Sequence, residues 1–268
     1  MTNQDFLKEQ VRTKYDEIAR RGEKAGCGCG CGCSSEGGTE ITMIGDEYEG
    51  VDGYVAGADL GLGCGMPTEL AGIEPGHTVL DLGSGAGLDA FIARSIVGEE
   101  GRVIGVDMTP SMVEKARGNA AELGYGNVAF RNGDIEELPV ESDSIDVVIS
   151  NCVLNLVPDK AAAFEEMFRV TKPGGHFCVS DVVARGRLPQ SLQRSAELYA
   201  GCVAGAIPED EYTGLLRSAG FEDVEVVRAK EIDLPDEVLL EAASPEQLAA
   251  FRRQGGALLS VTVKGRKA

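Results

Sequence analysis

Val79-Leu80-Asp81-Leu82-Gly83-Ser84-Gly85-Ala86-Gly87 is the most informative stretch of this 268-residue chain. A short apolar run, suited to a buried strand, passes into three glycines, and helical spacing follows over residues 89–97. A loop of this kind lets backbone approach a ligand closely and aims the amides of a helix N-terminus at it. Three glycines also serve purely steric turns, so their surroundings carry the argument.

Apolar runs at 78–82, 102–107, 128–131, 145–150 and 176–181 alternate with helical spacing over 89–97, 111–123 and 160–170. Near-continuous apolar strands with helical crossovers predict a parallel sheet covered on both faces. Two later runs, 224–232 and 258–263, suit an antiparallel edge. Segments 189–219 and 244–253 read as helical, and Pro173-Gly174-Gly175 predicts a turn before the fifth strand. The expected fold is α/β, a Rossmann-like, doubly wound, mostly parallel seven-stranded sheet with an N-terminal Cys-rich segment and a C-terminal helical and β embellishment. The chain divides into 1–60, helix and Cys/Gly-rich segment; 61–222, ligand-binding domain with its acceptor region; and 223–268, edge strands and helix.

About twenty residues after Gly87, Asp107 closes the second strand in Gly105-Val106-Asp107-Met108, where a carboxylate can accept both hydroxyls of an adenosine ribose. The third glycine of a dinucleotide fingerprint would fall at Leu88 and is absent. Asp81, an uncompensated acid at the strand end, suits the amino and sulfonium groups of S-adenosylmethionine better than a pyrophosphate. Asp134 and Ile135 offer a carboxylate for the adenine amino group and an apolar wall for its ring, and Asn151 ends the fourth strand on the same edge. The cofactor set is thus Asp81, Gly83, Ser84, Gly85, Gly87, Asp107, Met108, Asp134, Ile135 and Asn151.

A formal charge of −19, from 44 acidic against 25 basic residues, repels polyanions, so no nucleic-acid partner is expected. Hydrophobic residues make up 43% of the chain, enough for a full-sized core. Leu7, Val11, Tyr15 and Ile18 share one helical face, and no apolar run there resembles a secretory signal. The absence of membrane-spanning runs predicts a cytoplasmic protein, in which eight cysteines point to thiol chemistry rather than a disulfide scaffold.

Cys152 follows Asn151 at the sheet edge, Cys202 lies in the region after the fifth strand, and Cys64 precedes the first strand. Each taken alone fits a buried small hydrophobe. Together they offer three soft ligands that this fold can converge on one cleft. Three thiolates around a pyramidal trivalent arsenic leave its lone pair free to attack a sulfonium methyl without a general base. Cys178, inside the fifth strand, is read as structural.

The chain resembles the arsenite methyltransferases of the bacterial and archaeal type, from about Gly61 to Phe221. The resemblance is carried by Gly61-Leu62-Gly63-Cys64-Gly65, the glycine loop, Gly105-Val106-Asp107-Met108-Thr109-Pro110, Ser150-Asn151-Cys152-Val153-Leu154-Asn155-Leu156 and Gly201-Cys202-Val203-Ala204-Gly205-Ala206. It implies a class I methyltransferase that detoxifies arsenic, with Cys64, Cys152 and Cys202 binding As(III). It also implies that a further N-terminal cysteine forms a disulfide with Cys64, later reduced by thioredoxin or glutathione. Cys27, Cys29, Cys31 and Cys33 all qualify for that role, and as a group they also suit a metal-buffering tail. The aromatic residues common before Cys64 in that family are reduced here to Tyr48 and Tyr54. A quinone- or sterol-type methyltransferase and a non-catalytic thiol-based metalloid-binding protein are the competing readings.

Overall fold

The computed structural model of the chain describes residues 3–22, 48, 50–193, 195, 203, 205–234 and 236–268. Its strands are β1 (Thr78–Leu82), β2 (Arg102–Asp107), β3 (Val128–Asn132), β4 (Ile145–Asn151), β5 (Thr171–Arg185), β6 (Glu222–Ile232) and β7 (Ala257–Arg266). They form one seven-stranded sheet in the order β3-β2-β1-β4-β5-β7-β6. The first five run parallel, and β7 pairs antiparallel with both β5 and β6. The strand order reverses between β1 and β4, which opens a crevice beyond their carboxyl ends.

The helices are α1 (Asn3–Gly22), α2 (Pro67–Leu70), α3 (Leu88–Val97), α4 (Pro110–Glu122), α5 (Lys160–Val170), α6 (Gln190–Gln193), α7 (Glu209–Ser218), α8 (Asp236–Leu240) and α9 (Pro245–Arg253). Side chains alternate across β1: Val79 packs with Phe91 of α3 and Val113 of α4. Leu80 and Leu82 join Phe164 of α5 and Tyr212 of α7 in a separate cluster. Both faces are therefore covered, and each fully buried aliphatic side chain contributes about 1.5–3 kcal/mol. A third cluster, on the β5–β7 half, brings Val182, Ile232, Leu248 and Val11 together with Cys64 and Cys152.

The structure departs from the sequence reading in two places. Pro173-Gly174-Gly175 is not a turn between elements but a bulge inside β5. Thr171 pairs with Ile145 and His176 with Val147, and the intervening loop is stitched to the C-terminus by Gly174 N–H to Lys267 O (2.8 Å) and Lys267 N–H to Gly175 O (2.9 Å). Segment 189–219 is not one helical unit either. Between α6 and α7, Ile207 and Pro208 run extended alongside Ala184, whose N–H donates to Ile207 O. A residue preceding proline is steered away from helical torsions, which accounts for the break. Cys27, Cys29, Cys31, Cys33 and Cys202 lie outside the described residues. Among the described residues, no helix is long and apolar enough to cross a membrane.

Candidate functional site

Beyond β1 the chain turns sharply. Gly83 adopts φ 67°, and a Cβ there would collide with the side chain of Val153, so glycine is required both by torsion and by space. The amides of Gly83 and Ser84 donate to Val106 O, lashing the loop to β2. Gly85 N–H and Thr109 N–H donate to Asp107 Oδ2 (3.0 Å) and Oδ1 (2.8 Å). Burial pushes the Asp107 carboxyl upward against these bonds, which fix it at the crevice with lone pairs left for a ligand.

The crevice is a cleft of about 300 Å³ lined by every cofactor candidate except Gly87. Among the described residues its lining carries five carboxylates, Asp59, Asp81, Asp89, Asp107 and Asp134, against one lysine, Lys8. Asp81 is 2% exposed. Burial first, then the charges of Asp89 and Asp107, push it well above the usual carboxylate range, opposed by a bond from the Ala90 amide. Asp81 Oδ2 has no hydrogen-bond partner among the described residues, and neither does the buried Ser84 Oγ. A buried carboxylate oxygen without a partner costs several kcal/mol, a penalty that a cationic ligand relieves. The donor set therefore fits S-adenosylmethionine, which brings an ammonium and a sulfonium together with hydroxyls.

Asn151 organises the acceptor side. Its Oδ1 accepts from Cys64 N–H (3.0 Å), while its Nδ2 lies 2.6 Å from Tyr48 Oη, 2.8 Å from Gly65 O and 3.1 Å from Asp89 Oδ2. Tyr48 Oη donates to Gly65 O (2.8 Å). Asp89 is pushed up to about 6 by burial, with the bonds from Asn151 and Tyr48 pulling the other way. A Cβ on Gly65 would sit 2.7 Å from Ser180 Oγ, so the loop can lie flat on β5 only as glycine. Ser260 Oγ of β7 donates to Cys64 O and holds the loop from the other side.

Cys152 lines the cleft and is 2% exposed, with φ 59° and its N–H donating to Ser180 O (2.8 Å). Cys64, 3% exposed, shares its buried cluster. Val203, next in sequence to Cys202, packs in that same cluster. Cys178 lies in the cluster beneath α3 and α4, and burial pushes its thiol up to about 12. Among the described residues no group of three or more His, Cys, Asp or Glu is placed to hold a metal ion.

Further residues, beyond the candidates drawn from the sequence, contribute to the cleft. Lys8, Val11 and Tyr15 of α1 wall the cleft, and Lys8 Nζ reaches Asp134 Oδ2 (2.6 Å) and Glu136. Asp134 is thus engaged with α1 as well as facing the cleft. The apolar face of α1 was visible in the sequence, but not what it covers. Tyr48 and Asp89 were missed as well. Asp89 gives a local signal, an acid in the first turn after the glycine loop; Tyr48 reaches the site only through tertiary contacts.

Residues 73–220, more than half the chain, match the family described as a methyltransferase domain. The arsenite methyltransferase of Halobacterium salinarum is 43% identical over an alignment covering 97% of this chain and 66% of that protein. The arsenite methyltransferase of Aquipseudomonas alcaligenes is 40% identical over 67% of this chain and 53% of its own length. A crystal structure of an arsenic(III) S-adenosylmethionine methyltransferase from Chlamydomonas reinhardtii aligns with a TM-score of 0.64 and 41% identity, covering 74% of this chain and 65% of that one. The chain thus spans between about half and two thirds of the length of these relatives.

Proposed function

Because the chain belongs to the methyltransferase family, in its class I S-adenosylmethionine-dependent form, we propose that it methylates trivalent arsenic held by its cysteine thiolates. The observation that carries this reading is the hydrogen bond from Cys64 N–H to Asn151 Oδ1. It binds the Cys64 loop to the residue preceding Cys152 at the rim of the cofactor cleft. Two soft ligands from distant segments are thereby brought into one buried cluster.

S-adenosylmethionine supplies an electrophilic methyl group on a sulfonium. Asp81 would face its positive groups, Asp107 would take the ribose hydroxyls, and Met108 and Ile135 would flank the adenine, leaving its amino group to Asp134. Cys64, Cys152 and Cys202 hold arsenic, and one of Cys27, Cys29, Cys31 and Cys33 pairs with Cys64 as the product is reduced. Thioredoxin or glutathione then restores the thiols, a requirement that suits the cytoplasm. A quinone- or sterol-type acceptor gives Cys152 in the cleft lining and Cys64 in the buried cluster beside it no task. A metalloid-binding protein without turnover gives the acidic cleft none.

Incubation with arsenite, a small thiol and methyl-labelled S-adenosylmethionine tests the proposal by chromatography of arsenic species. Labelled methylarsenicals are expected from the native chain and from Cys178→Ser. Cys152→Ser is expected to lose more than about 100-fold in rate, because a hard hydroxyl is a poor ligand for As(III). Full activity in Cys152→Ser, or none in a well-folded Cys178→Ser, removes the assignment.

A further inference from the structure

Behind the wall that carries Cys152 lies a buried charged cluster to which the reading above gives no role. A 3-10 turn, Leu154–Leu156, follows Cys152, and Val153, Leu156, Val157 and Pro158 form one side of the cleft. The turn is held at both ends of a single residue. Asn155 N–H donates to the Asp181 carboxylate, and Asn155 O accepts from Lys160 Nζ (2.9 Å), which also donates to Val157 O (3.0 Å). Asp181, fully buried on β5, takes a further bond from Tyr212 Oη (3.0 Å) on α7 and one from Val182 N–H (2.9 Å).

Lys160 is a costly choice at this position. It opens α5, where the helix dipole disfavours a cation, and burial lowers its ammonium to about 8 despite the opposing charges of Asp181, Glu211 and Glu136. Asp181 is raised to about 7, chiefly by burial, against bonds from Val182, Tyr212 and Asn155 and the charge of Lys160. Replacing buried opposite charges by neutral groups is often neutral or stabilising for folding. Stability alone therefore does not explain it. What the cluster does control is placement. Val153, on the pinned segment, abuts Gly83 of the cofactor loop, and Tyr212 lies within electrostatic reach of Cys64 and Cys152.

We propose that Lys160, Asp181 and Tyr212 are positioning residues that clamp the turn after Cys152, setting the acceptor thiol against the cofactor loop at the separation methyl transfer requires. The proposal rests on Cys152 holding the acceptor, and it concerns geometry rather than proton transfer. An error of about 1 Å at a reacting centre costs on the order of 100-fold in rate, which is the scale of effect a clamp controls.

The test uses the full chain with Lys160→Met/Asp181→Asn, which removes both charges and leaves none unpaired in the core, alongside Tyr212→Phe. The double variant is expected to keep a native-like Tm and a KM for S-adenosylmethionine within about twofold, while kcat falls at least about tenfold. Alkylation of Cys152 by iodoacetamide, followed by peptide mass spectrometry, is expected to quicken at least about fivefold as the turn loosens. Tyr212→Phe, which spares both charges, is expected to fall between native and double variant in both readouts. Native kcat in a folded double variant, or an unchanged alkylation rate, overturns the clamp. Because alkylation needs no arsenic, faster Cys152 labelling in a protein whose native form fails to methylate arsenite supports the clamp while sinking the arsenic reading.

Discussion

Cys152 shows how much one side chain owes to its surroundings. Its φ of 59° lies in the left-handed region, which costs an ordinary L-residue about 1–2 kcal/mol and persists only where neighbours impose it. Here the bond to Ser180 O and the turn that follows impose it. Cys152→Gly relieves the strain and Cys152→Ala retains it, although both remove the thiol. In urea unfolding the glycine variant is expected to match or exceed the alanine variant by up to about 1 kcal/mol, despite losing a methyl group from a buried site. An alanine variant more stable by that margin contradicts the strain. The sequence showed that a cysteine stands at the end of a strand beside an asparagine. It carried no sign of the torsion, which arises from contacts with β5.

Among the elements, α5 is joined to the loop before β4 by a pair of charged side chains. Glu166 Oε2 accepts from Leu138 N–H (2.7 Å), and Arg169 binds Glu166 while also donating to Val140 O (2.9 Å). The Arg169 bond is the main reason the Glu166 carboxyl is lowered, with desolvation opposing it. A depressed acid stabilises the fold above its unfolded value, about 4.3, and that contribution disappears as pH falls through the lower folded value. Glu166→Gln should therefore cost on the order of 1 kcal/mol near pH 7 after allowance for solvent screening, with the gap closing below about pH 4. A constant gap across that range rules out the charge as the source. Element types were legible wherever periodicity was long and apolar, as in β1, β2, α3 and α5. The bulge at Pro173-Gly174-Gly175 was not, because local turn chemistry there is overridden by partners supplied from the far end of the chain, Lys267 among them.

Across the molecule the charge excess of −19 opposes compaction, while scattered surface ion pairs such as Arg228 with Glu69 and Arg266 with Asp223 favour it. Both are screened by salt, but exposed pairs contribute little individually and the net repulsion is summed over the surface. Raising KCl from about 0.05 to about 0.5 M is thus expected to increase Tm by roughly 2–4 °C, read by scanning calorimetry. A fall would show that the ion pairs outweigh the repulsion. The amino-acid order alone was enough to establish a parallel sheet with covered faces, a glycine loop opening onto its carboxyl edge, and Asp81 and Asp107 beside that loop. These follow from the period of apolar residues and from torsions that strongly favour glycine, both local properties. Three features belong to the folded chain: α1 walling the cleft, Tyr48 joining Asn151 and Asp89, and Asp181 accepting from Asn155 N–H behind Cys152. Each is a contact between segments far apart in sequence, whose spacing leaves no periodic trace and whose geometry exists once the sheet brings the segments together.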